Sequence, residues 1–464
     1  MFVGRKAELQ QLNTLYRQDK FQCIIIYGRR RVGKTTLINE FIKDKDVIYF
    51  TAIESTAKDN LENFSKSITA LDNANTDNAP LYKDFRSALI EIGELAQNRK
   101  IILVIDEYPY LARSYRPISS LLQELIDTRF KNNANLFIIL CGSSMSFMEK
   151  QVLGYQSPLY GRRTAQLHIK PFTFYEAAAY YKNFSSEDLA VVYGITGGIP
   201  LYMSFITDSL SLKDNIINTF LTPSGYMYEE PFNLLNQELR EPAMYNAIIR
   251  AIATGSSRIS EIASKVGIEN STATNYVDKL AELSIIEKEI PAGTAGKSRK
   301  SIYSIKDGMF RFWYKFIPDN NILIQRNMPE AAWANIQPHV NEYMGKVFES
   351  ICADYLLENY INLPVQFQNL GRWWGNNPKL KRQEEIDIVA AGNDKAIICE
   401  CKWRNEQTDK DVLETLLERR KLLSWFSECY YYIFSKSGFT AACQQFAKAD
   451  ARIKLVSYSD MLKI

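Results

Sequence analysis

The spacing of apolar and polar positions changes character along this chain. Over residues 1–170, short unbroken apolar runs rich in β-branched residues alternate with stretches in which apolar positions recur every three or four residues. Runs at 22–27, 46–51, 100–106, 135–141 and 165–169 predict strands buried on both faces, and the stretches between them predict helices covering a parallel sheet. Residues 171–242 keep only the helical period, with Phe172, Phe174, Tyr175, Tyr180 and Tyr181 interleaved as core positions. Helical patterns at 243–253, 258–266 (stopped by Gly267) and 270–283 (with Ser271 a plausible cap) come next. Strand patterns at 285–290 and 301–305 then flank a Gly/Lys/Arg-rich turn. That order predicts a winged helix-turn-helix. The aromatic stretch Met309 to Phe316 reads as a helix in an interdomain core. Farther on, strands at 385–390 and 396–403 enclose the turn Ala391-Gly392-Asn393-Asp394, and a charged helix at 409–423 covers their sheet. Four modules are expected: 1–170, 171–242, 243–317 and 335–464.

Composition narrows the class. An apolar content of 46% permits sizeable cores, and a net charge of +3 among 464 residues gives no global bias toward nucleic acid. Seven cysteines without metal spacing and two histidines far apart, His168 and His339, argue against a zinc site or a Cys/His nucleophile. The N-terminus lacks the apolar core of a signal peptide, and no apolar run is long enough to cross a bilayer. A soluble, cytoplasmic protein with no membrane partner is expected.

Chemistry enters after the first run. Gly28-Arg29-Arg30-Arg31-Val32-Gly33-Lys34-Thr35-Thr36 fits the phosphate-binding pattern G-x-x-x-x-G-K-[ST] between a strand and a helix. The two glycines allow a tight turn whose N–H groups point at anionic oxygens. Lys34 would reach the β- and γ-phosphates of ATP, and Thr35 would ligate Mg²⁺. The third run ends in Asp106-Glu107. An apolar strand delivering acids at its carboxyl end is what a Walker B element requires, with Asp106 on Mg²⁺ and Glu107 polarising the attacking water. Ser143 or Ser144, after the fourth run, would either sense the γ-phosphate or cap a helix. Arg162 and Arg163, just before the fifth, are either a cis arginine finger, a role favoured for Arg162, or surface charges.

Phe2-Val3-Gly4-Arg5 with Glu8, the loop at 28–36, Asp106-Glu107, Gly142-Ser143-Ser144, Tyr160-Gly161-Arg162 and Gly197-Gly198-Ile199-Pro200 together resemble the archaeal-type ATPases, a STAND-related, AAA-like P-loop group. The resemblance implies a five-stranded core with an extra strand between the two Walker strands, and a small helical lid. It places Gly4 and Arg5 near the adenine, and Pro200 on the bound nucleotide.

Two further sites are expected. On the winged helix, Thr274 and Asn275 of the third helix and Lys297, Arg299 and Lys300 of the wing would contact DNA; the alternative is a packing module. In the last module, period two puts Glu400 and Lys402 on one strand face and Cys399 and Cys401 on the other, with Asp387 one hairpin away. This D-x(n)-E-x-K order is similar to the PD-(D/E)xK nucleases, with Glu349 matching their upstream helical acid. The resemblance implies Mg²⁺ on Asp387, Glu400 and Glu349 and charge stabilisation by Lys402. The alternative is a surface ion pair. The whole reads as an α/β protein: a P-loop ATPase core with a helical lid, a winged helix and an α/β nuclease-like domain. ATP would gate DNA binding, with Mg²⁺-dependent DNA cleavage by the last domain as the further expectation. Alternatively, the chain would be a regulatory or scaffold ATPase whose last domain is an inactive interaction module binding a protein or DNA.

Overall fold

The computed structural model describes residues 2–72, 80–293 and 301–463. Five parallel strands make the first sheet: β1 (Gln22–Tyr27), β2 (Val47–Thr51), β3 (Ile101–Asp106), β4 (Leu136–Gly142) and β5 (Ala165–His168). Each begins and ends within one residue of its apolar run. The order is β2-β3-β4-β1-β5, so β4 lies between β1, which leads into the phosphate loop, and β3, which ends on Asp106. Alternate side chains of each strand enter separate cores. One contains Ile24, Ile26, Val104 and Ile139 with Leu37, Ile38 and Phe41 of the helix Lys34–Ile42; the other contains Ile25, Ile105, Leu140 and the helices after β2 and β3. A sheet buried on both faces needs unbroken apolar strands, which explains why these runs stand out in the sequence.

The chain divides into two compact units. The first runs to Phe172 and takes back Ile199–Leu201; the second holds 173–198 and everything from Tyr202 on. Within the second, helices Pro242–Ala253, Ile259–Val266 and Asn270–Glu282 precede the antiparallel pair β6 (Ile286–Glu289) and β7 (Ile302–Ile305), the element order of a winged helix. The helix Gly308–Gln325 buries Phe310, Phe312, Trp313 and Phe316. A mixed sheet ends the chain: β8 (Asn369–Asn377), β9 (Arg382–Ala391), β10 (Lys395–Lys402), β11 (Glu428–Ser435) and β12 (Ile453–Ser457), ordered β12-β11-β10-β9-β8. The helix Lys410–Arg420 covers one face through Val412, Leu413 and Leu416.

Direct contacts join the lid, the three helices with β6 and β7, and the last sheet within this second unit. Ala292, just past β6, donates its N–H to the Arg372 carbonyl (2.7 Å) and enters the core beside Trp373 and Phe426. The lid helix Ser186–Thr196 is fixed at three levels: the Tyr458 hydroxyl donates to the Ser186 carbonyl (2.6 Å), the Tyr193 hydroxyl to Asp354 (3.2 Å), and the Tyr343 hydroxyl to the Gly194 carbonyl (2.7 Å).

Candidate nucleotide site

The loop after β1 turns because its glycines permit it. A Cβ on Gly28 would lie 2.3 Å from the Ile169 carbonyl oxygen, and Gly33 has φ of 88°; neither position accepts an ordinary side chain without strain. The helix Lys34–Ile42 starts at once, aiming its free N–H groups into the turn. The Lys34 amine is buried and donates to the carbonyls of Gly28 (2.8 Å) and Arg29 (3.0 Å). Burial pushes it below the ordinary lysine range, and the charges of Glu107 and Asp106 pull it back. Arg30 donates to the Tyr110 hydroxyl (2.8 Å). Arg5, in a left-handed conformation (φ 56°), donates to the carbonyls of Val32 (3.1 Å) and Lys170 and lies over the Phe172 ring, clamping the loop from outside.

Asp106 faces the start of the same helix. Its Oδ2 accepts from the Thr35 hydroxyl (3.2 Å) and the Tyr49 hydroxyl (2.8 Å), and its Oδ1 from the Glu107 N–H (2.9 Å). Glu107 has φ of 52°, uncommon for a residue with a side chain. Its carboxylate accepts from the Ser143 hydroxyl (2.9 Å). Of the two uses foreseen for this serine pair, the capping one is not seen: Ser144 makes no side-chain cap. Pro200 belongs to the same unit, and its ring lies 3.7 Å from where a Gly33 Cβ would be. The Leu201 N–H points at the Arg31 carbonyl (3.4 Å). Turn, helix N-terminus, lysine, and two hard oxygen donors side by side fit a phosphate chain with Mg²⁺.

Residues 2–205 match a family described as an ATPase domain predominantly from Archaea, and residues 313–413 match one described as Archaea bacterial proteins of unknown function. The uncharacterized protein MJECL04 of Methanocaldococcus jannaschii is 34% identical over 447 residues, covering 94% of this chain and 96% of its own. The chain belongs to this archaeal ATPase family. A short stretch is 51% identical over 47 residues to the uncharacterized ATP-binding protein MJ0423 of the same organism, 10% of this chain and 80% of that protein. The Walker-type ATPase PABY2304 of Pyrococcus abyssi shares the fold, with TM-score 0.52 at 20% identity over 68% of this chain and 96% of that one.

Elsewhere in the ATPase, the structure parts from the sequence-based expectation. Arg162 is not at the phosphate loop. Thr164 donates to the Cys23 carbonyl, so Arg162 lies at the amino end of β1, where it pairs with Asp127 (3.0 Å). The loop leaves the carboxyl end, six residues away, roughly 20 Å at about 3.3 Å per residue. This position does not serve as a cis arginine finger for the chain's own phosphate loop, and Arg162 instead fits the alternative of a surface charge.

In the last sheet, β9 and β10 pair up to Cys399 and Ile388 and then separate, and Asp387 accepts from the Cys401 N–H (2.8 Å) where they part. Lys402 contacts Glu400 (2.6 Å) and Asp387 (3.7 Å), so the structure does bring these three together. It does not make the expected metal cluster. Glu400 is 3% exposed, with its second oxygen on Arg419 (2.5 Å), and Arg419 also binds Glu384 (3.0 Å). Glu349 pairs with Lys346 (2.9 Å) and faces Arg372 (3.8 Å); burial, with the nearby Asp387 charge adding to it, raises its carboxyl to about 7. Among the described residues, no three His, Cys, Asp or Glu side chains are grouped to hold a metal ion. Cys399 and Cys401 are core residues, as expected.

On the helix Asn270–Glu282, Asn275 is exposed, whereas the Thr274 hydroxyl donates to the Asn270 carbonyl (2.8 Å). Glu269, not Ser271, holds the cap position. Lys297, Arg299 and Lys300 lie outside the described residues. No helix of the described chain is long and apolar enough to cross a membrane. Sequence reasoning missed Tyr49, Arg419 and Glu384. Only the last left a signal, as an acid within the Glu384-Glu385 pair at the start of β9.

Proposed function

We propose that the chain is a Mg²⁺-dependent ATPase working as a nucleotide-gated switch, in which the lid reports the state of the phosphate loop to the winged helix and the last domain. The carrying observation is the path of residues 197–202. Ile199–Leu201 rest in the first unit with Pro200 over Gly33, and the residues on either side belong to the second. Immediately upstream is the lid helix Ser186–Thr196, braced along its length by Tyr458, Asp354 and Tyr343. A shift at Pro200 would therefore load a stiff element. Lys34 would bind the β- and γ-phosphates, Thr35 and Asp106 would hold Mg²⁺, and a Glu107 oxygen would take the proton of the attacking water. The ion supplies charge neutralisation when bound.

Two measurements test this reading: ATP binding and hydrolysis, both lost in Lys34→Ala, and amide exchange over residues 186–198, slowed by ATP with Mg²⁺. Unchanged exchange on saturation with ATP would remove the gating part.

DNA is the partner class suggested by the element order of the winged helix and by the basic residues of its wing. Salt-dependent duplex binding that weakens in a Lys297/Arg299/Lys300→Ala chain would support it. For the last domain, the pairing of both Glu400 oxygens with cations favours an interaction module over a nuclease. Mg²⁺-dependent cleavage of duplex or branched DNA, lost in Glu400→Ala, would reverse that preference.

A further inference from the structure

In the nucleotide site, one contact comes from a strand that the phosphate-loop pattern does not include. β2 is the edge strand beside β3, with Tyr49 opposite Val104 and Thr51 opposite Asp106. Alternation sends Ile48 and Phe50 into one core, and Val47 and Tyr49 to the other face, against the core built on the helix Lys34–Ile42. The Tyr49 ring therefore runs along the face that carries Thr35. Its hydroxyl arrives at Asp106 Oδ2 at 2.8 Å, the oxygen that the Thr35 hydroxyl also reaches at 3.2 Å. Oδ1 is meanwhile held by the Glu107 N–H at 2.9 Å. A carboxylate has about four lone-pair sites; these donors take three, and the Cys141 thiol also lies within reach of it. The backbone donor fixes one oxygen and the phenol the other, so the plane of the carboxylate is set without relying on Thr35.

We propose that Tyr49 is a positioning residue for the divalent cation: it holds Asp106 Oδ2 in place while the Thr35 hydroxyl is free to turn to the ion. This rests on the reading of Thr35 and Asp106 as the Mg²⁺ pair. A phenol suits the task. It donates at neutral pH, adds no positive charge to compete with the cation, and its partly buried ring packs against the core built on the helix Lys34–Ile42. Partners of this kind behind a metal-binding group typically change metal affinity by 10- to 100-fold when removed.

The test is equilibrium binding of ATP by titration calorimetry, with Mg²⁺ stepped from a chelator-buffered zero to saturation, on the full chain, Tyr49→Phe and Asp106→Asn. Tyr49→Phe should need roughly 10- to 100-fold more Mg²⁺ to reach the half-point of the Mg²⁺-enhanced affinity, with ATP affinity in chelator unchanged. Asp106→Asn should lose the enhancement. A Tyr49→Phe midpoint within about twofold of the parent overturns the proposal. So does an equal loss of affinity with and without Mg²⁺, because that marks a structural role only. Absence of any Mg²⁺-enhanced ATP binding in the parent is a different failure and would sink the assignment of Thr35 and Asp106 themselves.

Discussion

Gly308 opens the long aromatic helix, and its substitution by alanine separates two physical effects of opposite sign. Helix propensity favours the change, since alanine is better than glycine in a helix by about 0.5–1 kcal/mol. Packing opposes it. A Cβ there would lie 2.3 Å from the Gly194 carbonyl oxygen and 2.8 Å from the Gly197 nitrogen, both backbone atoms at the end of the lid helix. Ordinary contact is roughly 3.5 Å, so one backbone must retreat by about 1 Å. Neither side yields cheaply: Val347 lies so close to Gly194 that a Cβ there would come within 2.8 Å of it, and the Gly194 carbonyl accepts from the Tyr343 hydroxyl at 2.7 Å. Overpacking of this kind costs about 1–3 kcal/mol, and with unyielding backbone on both sides the upper half of that range, about 2–3 kcal/mol, applies, leaving a net loss of about 1–2.5 kcal/mol after the propensity gain. In a unit of this size that lowers Tm by roughly 2–4 °C. Scanning calorimetry with and without excess ATP assigns the transitions, because the unit that binds ATP is raised by mass action. Gly308→Ala should lower the transition of the second unit. An unchanged or higher transition would refute the close-packed glycine contact between lid and helix.

Two other outcomes are expected. Asp354 accepts from the Phe174 N–H (2.8 Å) and the Tyr193 hydroxyl, and burial raises its carboxyl to about 6. The folded chain thus keeps a proton that the unfolded chain releases near pH 4, so this group's contribution is full below about pH 4 and lost as pH rises through about 6, at most about 3 kcal/mol. Asp354→Asn should flatten the fall in Tm between pH 4 and 6.5; a parallel profile would contradict it. Arg162→Ala should leave ATP hydrolysis within about twofold of the parent, since its partner is Asp127 at the far end of β1; a loss approaching the roughly 10³-fold of an arginine finger would overturn that placement.

Whatever a local pattern forces is legible in the sequence. β1, β3 and β4 are buried on both faces and must be apolar throughout, so the order of residues alone marks their positions and the acids at the end of β3. Arg162 was misplaced although its position carried the answer: residues that precede a parallel strand lie at the sheet edge away from the ligand crevice. Tyr49 left no such trace, because its meaning depends on β2 lying beside β3, and strand order is not local. Arg419 was hidden for a similar reason. Its helix read as a solvated cover, and nothing in a charged amphipathic pattern says that one guanidinium turns inward to a buried carboxylate.

The two acidic centres differ in what holds their carboxylates, and that difference decides which is the better home for a divalent cation. Asp106 is held by two hydroxyls and an amide, with the Cys141 thiol also in reach, all neutral donors; the Lys34 ammonium acts on it through charge without a hydrogen bond, which leaves its oxygens open to a cation. Around Glu400 the charges already close. Three carboxylates (Asp387, Glu400, Glu384) meet three cations (Lys402, Arg419, Arg382) in one connected network, and 3 − 3 leaves no net charge. A cation entering there would have to part the buried Glu400 carboxylate from at least one partner and leave a partly exposed guanidinium or ammonium without its carboxylate. Entry at Asp106 requires only that a hydroxyl turn. Any Mg²⁺ dependence displayed by the second unit is therefore expected to originate at the phosphate loop and to vanish in Lys34→Ala; Mg²⁺-dependent behaviour of the last domain that survives that substitution would show that the network opens.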